Sequence, residues 1–497
     1  MISRIGLQTT TAALALAVVL VPGVIATPSA QAQTFSTLHS FDNTDGAQPV
    51  NTLVQATDGN IYGAAFSGGA NGGGTLFKIT PSGTLKTLYN FCSESGCTDG
   101  AGPAVQLLQA INGDFYGEAC SGGANGGGTL FKITPSDTLT TLYNFCSESG
   151  CTDGQCPNAL LQATNGKLYG ATFGGGANGY GTLFEFAPGG TLTTLYTFCV
   201  QSGCTDGANP DTDMVRATNG NIYGATYSGG VSGNGTFFEI TPSGAYTALY
   251  SFCSKSNCSD GAHPNGGVVQ AADGDFYGTT FSGGIESRSN RSGGGTVFKI
   301  SPSGTFKTLY GFCAQSGCTD GENPYAQVIQ ATDGNLYGTM GYGGANGGGT
   351  AFKITPSGAL TTLYSFCAQS GCTDGDVPYY GKLVQHTNGN IYGTTYDGGI
   401  SSACAGGCGT VFSLSVGLGP FVKPRPASGE VGVPVEILGT NLTGSTSVTF
   451  DGTPAVFNVV SSSLITTTVP TGATTGEVQV TTPGGTLTSN VSFVVVP

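Results

Sequence analysis

Asn112-Gly113-Asp114-Phe115-Tyr116-Gly117 leads across the glycine-rich stretch Ser121–Gly127 into Gly128-Thr129-Leu130-Phe131-Lys132-Ile133, followed by Thr134-Pro135-Ser136-Asp137. The Asn-Gly step closes a tight hairpin, and Thr-Pro-Ser-Asp makes a second turn. Two strands therefore lie inside this stretch. The run Val105–Ala110 before it and Thr138–Phe145 after it supply two more. The tyrosine of this unit recurs at Tyr62, Tyr116, Tyr169, Tyr223, Tyr277, Tyr337 and Tyr392, with spacings of 54, 53, 54, 54, 60 and 55 residues. A unit of that length cannot bury its own apolar face, so neighbours must stack.

Four short antiparallel strands per unit, with no helical pattern, predict a blade of a β-propeller. A parallel β-helix would use shorter rungs and would not need two hairpin turns per repeat. The chain ends add a separate argument. Phe35-Ser36-Thr37-Leu38-His39-Ser40-Phe41 matches a fourth strand with no blade before it, while the last unit, Leu383–Leu414, lacks its fourth strand. Pairing the two completes seven blades and removes both open edges. In such a ring the Gly-rich loops and the blade-to-blade loops leave on one face, where a ligand is expected. The predicted fold is all-β: a seven-bladed β-propeller over 33–415, closed by the N-terminal strand, then an immunoglobulin-like β-sandwich over 416–497.

Residues 1–32 read as a secretory signal: Arg4, an apolar run from Ala12 to Ala26, then Ala30-Gln31-Ala32 as the cleavage site. A secreted, extracellular or cell-surface location follows, with the periplasm left open and no membrane span expected. The net charge of −14, with fifteen scattered Lys and Arg, argues against nucleic acid as a partner. Only 9% of residues are charged and 85 are glycine, a balance that would suggest disorder if the glycines were not placed at fixed offsets between β-patterned runs.

The Leu-Tyr-Gly…Gly-Gly…Gly-Thr-x-Phe-Lys-Ile-x-Pro-x-Gly core, as in Tyr337-Gly338, Gly349-Thr350-Ala351-Phe352-Lys353-Ile354 and Pro356-Ser357-Gly358, resembles the tandem repeat of bacterial choice-of-anchor GloVer-repeat proteins. The resemblance covers 35 to about 415 and implies surface display with no assigned activity; the chain departs from it in having no evident C-terminal sorting helix. From Gly419 the period stops. Val433-Pro434-Val435-Glu436-Ile437-Leu438, Ser447-Val448-Thr449-Phe450-Asp451-Gly452 and Gly476-Glu477-Val478-Gln479-Val480 are similar to the IPT/TIG immunoglobulin-like module. That resemblance implies a spacer or an interaction domain.

Sixteen cysteines in an exported chain read as disulfides. Twelve form Cys-x4-Cys pairs: Cys92 with Cys97, Cys146 with Cys151, Cys199 with Cys204, Cys253 with Cys258, Cys313 with Cys318, and Cys367 with Cys372. The first loop, Phe41–Asp45, is shorter and lacks both cysteines together, as expected of a staple. Cys120 and Cys156 are candidates for a link between the second and third units, and Cys404 and Cys408 for closing the last Gly-rich loop. Asp45, Asp99, Asp153, Asp206, Asp260, Asp320 and Asp374 each sit in an Asp-Gly step. Seven carboxylates near one mouth are candidate ligand-binding groups, with Ca²⁺ as a candidate ion; the alternative is that each caps its own turn. Arg288 and Arg291, in an insertion of the fifth unit, are further candidates on the loop face. The repeated tyrosines read as core residues with a bonded hydroxyl.

No catalytic constellation is visible. His39, His263 and His386 are the only histidines, and neither a Gly-x-Ser-x-Gly elbow nor a His-Glu-x-x-His motif occurs. The expectation is a monomeric, non-enzymatic binding or adhesion protein that presents its long loops to a glycan or protein ligand. The alternatives are a polysaccharide-active hydrolase or lyase and a purely structural spacer.

Overall fold

The computed structural model describes residues 33–50, 52–103, 107–163, 166–211, 213–285, 292–379 and 381–496. The signal segment 1–32 and both candidate arginines, Arg288 and Arg291, lie outside the described residues. The chain is all-β. Seven antiparallel sheets follow the repeat, six with their strands in chain order and the seventh completed by the first strand of the chain, and the C-terminal domain forms two further four-stranded sheets. The first sheet comprises Val54–Gln55, Ile61–Ala65, Thr75–Ile79 and Leu85–Asn90. In the seventh sheet the fourth strand is Thr34–Ser40, which runs antiparallel to Thr410–Ser415 from Thr34 opposite Ser415 to Ser40 opposite Thr410. The two ends of the repeat array are thus joined by strand pairing.

The recurring sequence has a packing cause. Within each sheet the glycine of Tyr-Gly lies opposite the phenylalanine of Gly-Thr-x-Phe, as Gly63 does Phe77. A methyl group on Gly63 would stand 2.7 Å from the Phe77 ring, and on Gly170 only 2.1 Å from Phe184. The ring occupies the space that any side chain there would need. Each such phenylalanine then receives another from the end of a neighbouring fourth strand: Phe91 on Phe131, Phe145 on Phe184, Phe198 on Phe238, Phe252 on Phe298, Phe312 on Phe352 and Phe366 on Phe412, at centroid distances of 5.1–5.7 Å. Phe41, which follows the N-terminal strand, meets Phe77 of the first sheet at 5.3 Å, so the seventh sheet packs against the first as the others pack against their successors. Edge-on aromatic pairs of this kind add to the burial of two large apolar side chains.

A second contact repeats around the array. The glycine before Thr-x-Phe approaches the proline of the next unit: Gly74 faces Pro103, Gly235 faces Pro264, and Gly409 faces Pro49 of the first unit. At Gly74 a φ of 95° and an Ala65 carbonyl oxygen 2.5 Å from any added Cβ exclude other residues.

The C-terminal domain, over Val422 to Val495, encloses its own apolar core of Val435, Ile437, Phe450, Ile465, Val480 and Phe493. It meets the repeat domain at the turns between first and second strands. Ser463 Oγ donates to the Thr57 carbonyl at 2.8 Å, Thr387 and Thr440 hydroxyls lie 2.9 Å apart, and the Arg425 guanidinium reaches Gln109 Oε1 at 2.8 Å.

Candidate functional site

The long loops between sheets and the cavity at the centre of the array differ in construction. Each long loop makes a short 3₁₀ turn, as at Ser95–Cys97, with both cysteines at positive φ. All six Cys-x4-Cys pairs are closed as disulfides within their own loops: Cys92 to Cys97, Cys146 to Cys151, Cys199 to Cys204, Cys253 to Cys258, Cys313 to Cys318 and Cys367 to Cys372. Cys120 is bonded to Cys156, which ties the second sheet to the third, and Cys404 to Cys408. The cysteines are therefore staples, and no thiol among them is left to bind a ligand.

Inside each loop the aspartate is buried and committed to its own backbone. Asp260 accepts the Tyr250 hydroxyl at 2.7 Å, Ser254 Oγ at 2.8 Å, and the N–H groups of Ser254 and Lys255 at 2.9 and 3.2 Å. Burial alone would raise this carboxyl, but the donors outweigh it and hold Asp260 below the usual carboxylate range. Asp99, Asp153, Asp206, Asp320 and Asp374 accept from Tyr89, Tyr143, Tyr196, Tyr310 and Tyr364 in the same way. Asp45 is the variant. His39 occupies the tyrosine position of the fourth strand, and its Nε2 lies 2.7 Å from Asp45 Oδ2. None of the seven aspartates lines the central cavity, and each is held by its own loop. Five of the repeated tyrosines of the second strand, Tyr169, Tyr223, Tyr277, Tyr337 and Tyr392, are buried, Tyr62 and Tyr116 are half-buried, and the Tyr337 hydroxyl donates to Asp333 at 2.8 Å.

The cavity itself has a volume of about 410 Å³ and takes lining residues from all seven sheets and the segments leading into them. Its rim is aromatic for a reason visible in register. The position four residues after the repeated tyrosine is Phe66, Cys120, Phe173, Tyr227, Phe281, Gly341 and Tyr396 in the seven units. Phe66, Phe173 and Tyr396 face the cavity. In the second unit Cys120, with its disulfide to Cys156, stands where a ring would be. At Gly341 an added Cβ would stand 3.0 Å from both Tyr325 and Tyr379, so those rings fill the gap from the strand-entry segments. Tyr325 and Tyr379 meet edge-on at 4.3 Å, and Tyr379 meets Tyr396 at 5.4 Å. The result is an aromatic collar.

Below the collar the wall is polar and differs from unit to unit. The residue after the unit's proline is Val50, Asn158, Asp211, Asn265 or Tyr325 in units one, three, four, five and six, and two positions further come Thr52, Asp213 and Gln327 in units one, four and six. Asn158 Nδ2 donates to Asp211 Oδ1 and to the Pro210 carbonyl, both at 2.9 Å. Burial pushes Asp211 up to about 6, with Asn158 opposing. Asp213 is also raised by burial, partly offset by Lys382, whose Nζ stands 4.0 Å away. Lys382 is lowered by the same burial, so at this separation desolvation outweighs the pairing. Asp213 lines the cavity, and Asp213 and Lys382 keep about a fifth of their side-chain surface exposed, 22% and 21%. Behind the wall, Glu118 is fully buried. Burial pushes its carboxyl well above the usual range; the Ala159 N–H opposes this only in part, since neither oxygen closes a hydrogen bond, and the Asp213 charge adds to it.

None of these wall residues belongs to the periodic motif. The signal that locates them is the variation itself: in seven units laid in register, the positions after the proline are the ones that change chemistry.

Comparisons with known proteins fit this architecture. The structure is similar to a fungal alcohol oxidase solved with copper, at 13% identity and TM-score 0.51, over 93% of this chain and 99% of that one. It is similar also to the extracellular domain described as part of a hybrid two-component system of B. thetaiotaomicron, at 11% identity and TM-score 0.51, over 92% of this chain and 58% of that one. A second such B. thetaiotaomicron extracellular domain matches at 10% identity and TM-score 0.49, over 88% of this chain; there the chain spans about half the length of the structure it matches. At these identities the likeness concerns the fold. No curated protein matches the chain. The Gloeobacter/Verrucomicrobia repeat model matches at 21–217, 146–319 and 213–422, and the IPT/TIG domain model at 422–495. The chain therefore belongs to the Gloeobacter/Verrucomicrobia repeat family and carries a C-terminal IPT/TIG domain.

Proposed function

We propose that the seven sheets are the blades of a closed β-propeller, and that the protein is a secreted or cell-surface, non-enzymatic binding protein which receives a glycan or protein ligand at the collar end of the axial cavity. The observation that carries this reading is the cavity's two-part lining. An aromatic rim drawn from repeat positions stands over a polar wall drawn from unrepeated ones, as binding pockets combine apolar area with a few orienting polar groups. Two features point to the collar end. The C-terminal domain covers turns at the other end of the strands. The glycine-rich and disulfide loops surround the collar, bonded to one another as Gly123 N–H is to the Cys97 carbonyl at 2.9 Å. Eight disulfides suit an oxidising compartment outside the cytoplasm, and no helix among the described residues is long and apolar enough to cross a membrane.

The test is a glycan array probed with the chain from Gln33 onward, with and without Ca²⁺, alongside Phe173→Ala and Phe66→Ala. Binding that weakens on the order of tenfold or more in either variant supports the reading, since stacking on an aromatic ring is commonly worth that much. Binding unchanged in both variants contradicts it.

One observation favours a second reading. A carboxyl raised to about 6 in a cavity is suited to proton transfer near neutral pH. An extracellular polysaccharide-active enzyme would use Asp211 as acid. Release of reducing ends from a polysaccharide panel, abolished by Asp211→Asn, would establish it.

A further inference from the structure

The seams between neighbouring sheets are tied by a repeated side chain. A glutamine at the end of the first strand reaches back to the turn of the preceding sheet: Gln109 Oε1 accepts the Thr57 N–H at 3.0 Å, Gln270 that of Thr218, Gln330 that of Ala272, Gln385 that of Thr332 and, across the two ends of the array, Gln55 that of Thr387. Two seams depart from this. Between the third and fourth sheets Arg216 stands at the glutamine position, and the tie is made elsewhere, by Asn158 to Asp211 and to the Pro210 carbonyl. Between the second and third sheets Gln162 is present but, among the described residues, donates only to the Gly166 carbonyl of its own turn, at 3.4 Å. That seam alone is crossed by a disulfide, Cys120 to Cys156.

The same seam is weakened along its length. Tyr116, Glu118 and Cys120 alternate on the strand Phe115–Ser121 and so share the face that meets the third sheet. Beside Tyr116 lies a pocket of about 180 Å³ lined from both sheets, by Tyr116, Lys132 and Leu142 on one side and Leu168, Phe186 and Pro188 on the other. Glu118 is fully buried, and neither carboxyl oxygen has a hydrogen-bond partner. The other units place Ala64, Ala171, Ala225, Thr279, Thr339 and Thr394 at this position, so the scaffold has no need of a carboxyl there. A buried polar group left unmade and the contacts forfeited at a pocket both subtract from the packing of the two sheets. Against them stand Phe145 on Phe184, a pair common to the seams, and the disulfide, peculiar to this one. Cys120 and Cys156 are half-buried and line the central cavity.

We propose that the seam between the second and third sheets is the line along which the array opens, and that the bond between Cys120 and Cys156 is its redox-sensitive clamp. When the bond is reduced the two sheets part, and the cavity, which Cys120, Cys156 and Asn158 line, widens on that side. The reduction is a thiol–disulfide exchange with a dithiol. One thiolate attacks a sulfur of the pair, the mixed disulfide is resolved by the second thiol, and Cys120 and Cys156 are left as thiols that carry the two protons and two electrons lost by the dithiol as it becomes a disulfide. The other seven disulfides each close within one loop, at sequence separations of four or five, and none of them joins two sheets across a seam in this way.

Acrylamide quenching of a single indole in the chain from Gln33 onward tests this, because the chain has no tryptophan. Tyr116→Trp places the indole in this seam, and Tyr62→Trp, at a position half-buried like Tyr116, places it in the glutamine-tied seam between the first and second sheets. Replacing the pair by Cys120→Ala with Cys156→Ala, or treating the intact pair with dithiothreitol, should raise the quenching constant of Tyr116→Trp severalfold and leave that of Tyr62→Trp unchanged. Once the pair is replaced, dithiothreitol should add nothing. Glu118→Ala, added to the pair replacement, should return Tyr116→Trp most of the way to its clamped value, and in the clamped chain the same substitution should raise the melting temperature. An unmoved Tyr116→Trp, an equal rise in Tyr62→Trp, a further rise with dithiothreitol after the pair is gone, or no recovery with Glu118→Ala overturns the proposal. So does a clamped chain whose melting temperature Glu118→Ala fails to raise, a result that does not require the pair replacement to fold.

Discussion

The six disulfide loops and the strand-entry segments that line the cavity lie only a few residues apart in every unit, yet they differ in kind. The loops are near copies: each has a cystine, a Ser-x-Cys turn and an aspartate capped by a tyrosine hydroxyl, as Cys146, Cys151 and Asp153 show in the second unit and Cys253, Cys258 and Asp260 in the fourth. The entry segments share little beyond a proline and then diverge to Asn158, Asp211, Asn265 and Tyr325. A structural requirement recurs with every sheet because every sheet has the same edge to secure. A ligand site does not recur, because one cavity takes its lining from all seven units. Repetition therefore marks the scaffold, and its failure marks the site.

The comparison can be broken most severely at the scaffold. Phe298→Ala removes a ring that fills the glycine gap of its own sheet and receives Phe252 from the sheet before it. It should cost about 3–5 kcal/mol in denaturant unfolding. A loss below about 1 kcal/mol would show that the aromatic ladder does not hold the sheets together. The double substitution Cys199→Ser with Cys204→Ser opens one short ring and should cost about 2 kcal/mol, read in the same assay, with ligand binding unaffected. Tyr310→Phe keeps the ring and removes the hydroxyl that Asp320 accepts at 2.9 Å. About 1.5 kcal/mol should be lost, and no loss would mean that the backbone donors suffice.

The cavity should respond with the opposite sign. The folded chain holds the Asp211 proton more tightly than the unfolded chain does, because burial raises that carboxyl from 3.8 to about 6. Its contribution to stability is present at low pH and is lost as pH rises from the ordinary carboxylate range through about 6. Asp211→Asn keeps the neutral form at every pH. It should match the parent near pH 4 and exceed it by about 1 kcal/mol at pH 7.5, the shift being discounted for partial contact with solvent. Equal stability at both pH values would place Asp211 in open solvent.

Much of the scaffold was legible because it is periodic. The two turns per unit and the stranded ends of the array follow from Asn112-Gly113, Thr134-Pro135-Ser136-Asp137 and the lone strand at Phe35–Phe41, whereas the pairing of Gly63 with Phe77 emerges only from strand register. The aspartates Asp99 and Asp374 were visible as a repeated carboxylate, but their sequence is the same whether they face inward to their own loop or outward to a shared ligand. Only the tyrosine at the end of the preceding strand, Tyr89 or Tyr364, decides between the two by donating its hydroxyl. His39 looked unrepeated until the strand register set it at that tyrosine's place. Asp211, Asp213, Asn265 and Gln327 were silent for a different reason: residues on separate sheets converge at the centre of the array and share no local motif.

The most direct measurement uses the absence of tryptophan from the chain. Phe173→Trp places a sole indole at the collar, and Val200→Trp, at a position 59% exposed on a disulfide loop, places one on the scaffold. The account predicts a saturable change in emission on titrating a glycan identified on the array into Phe173→Trp, and no change in Val200→Trp. A response from the loop indole with a silent collar would contradict the claim that binding belongs to the unrepeated lining of the cavity.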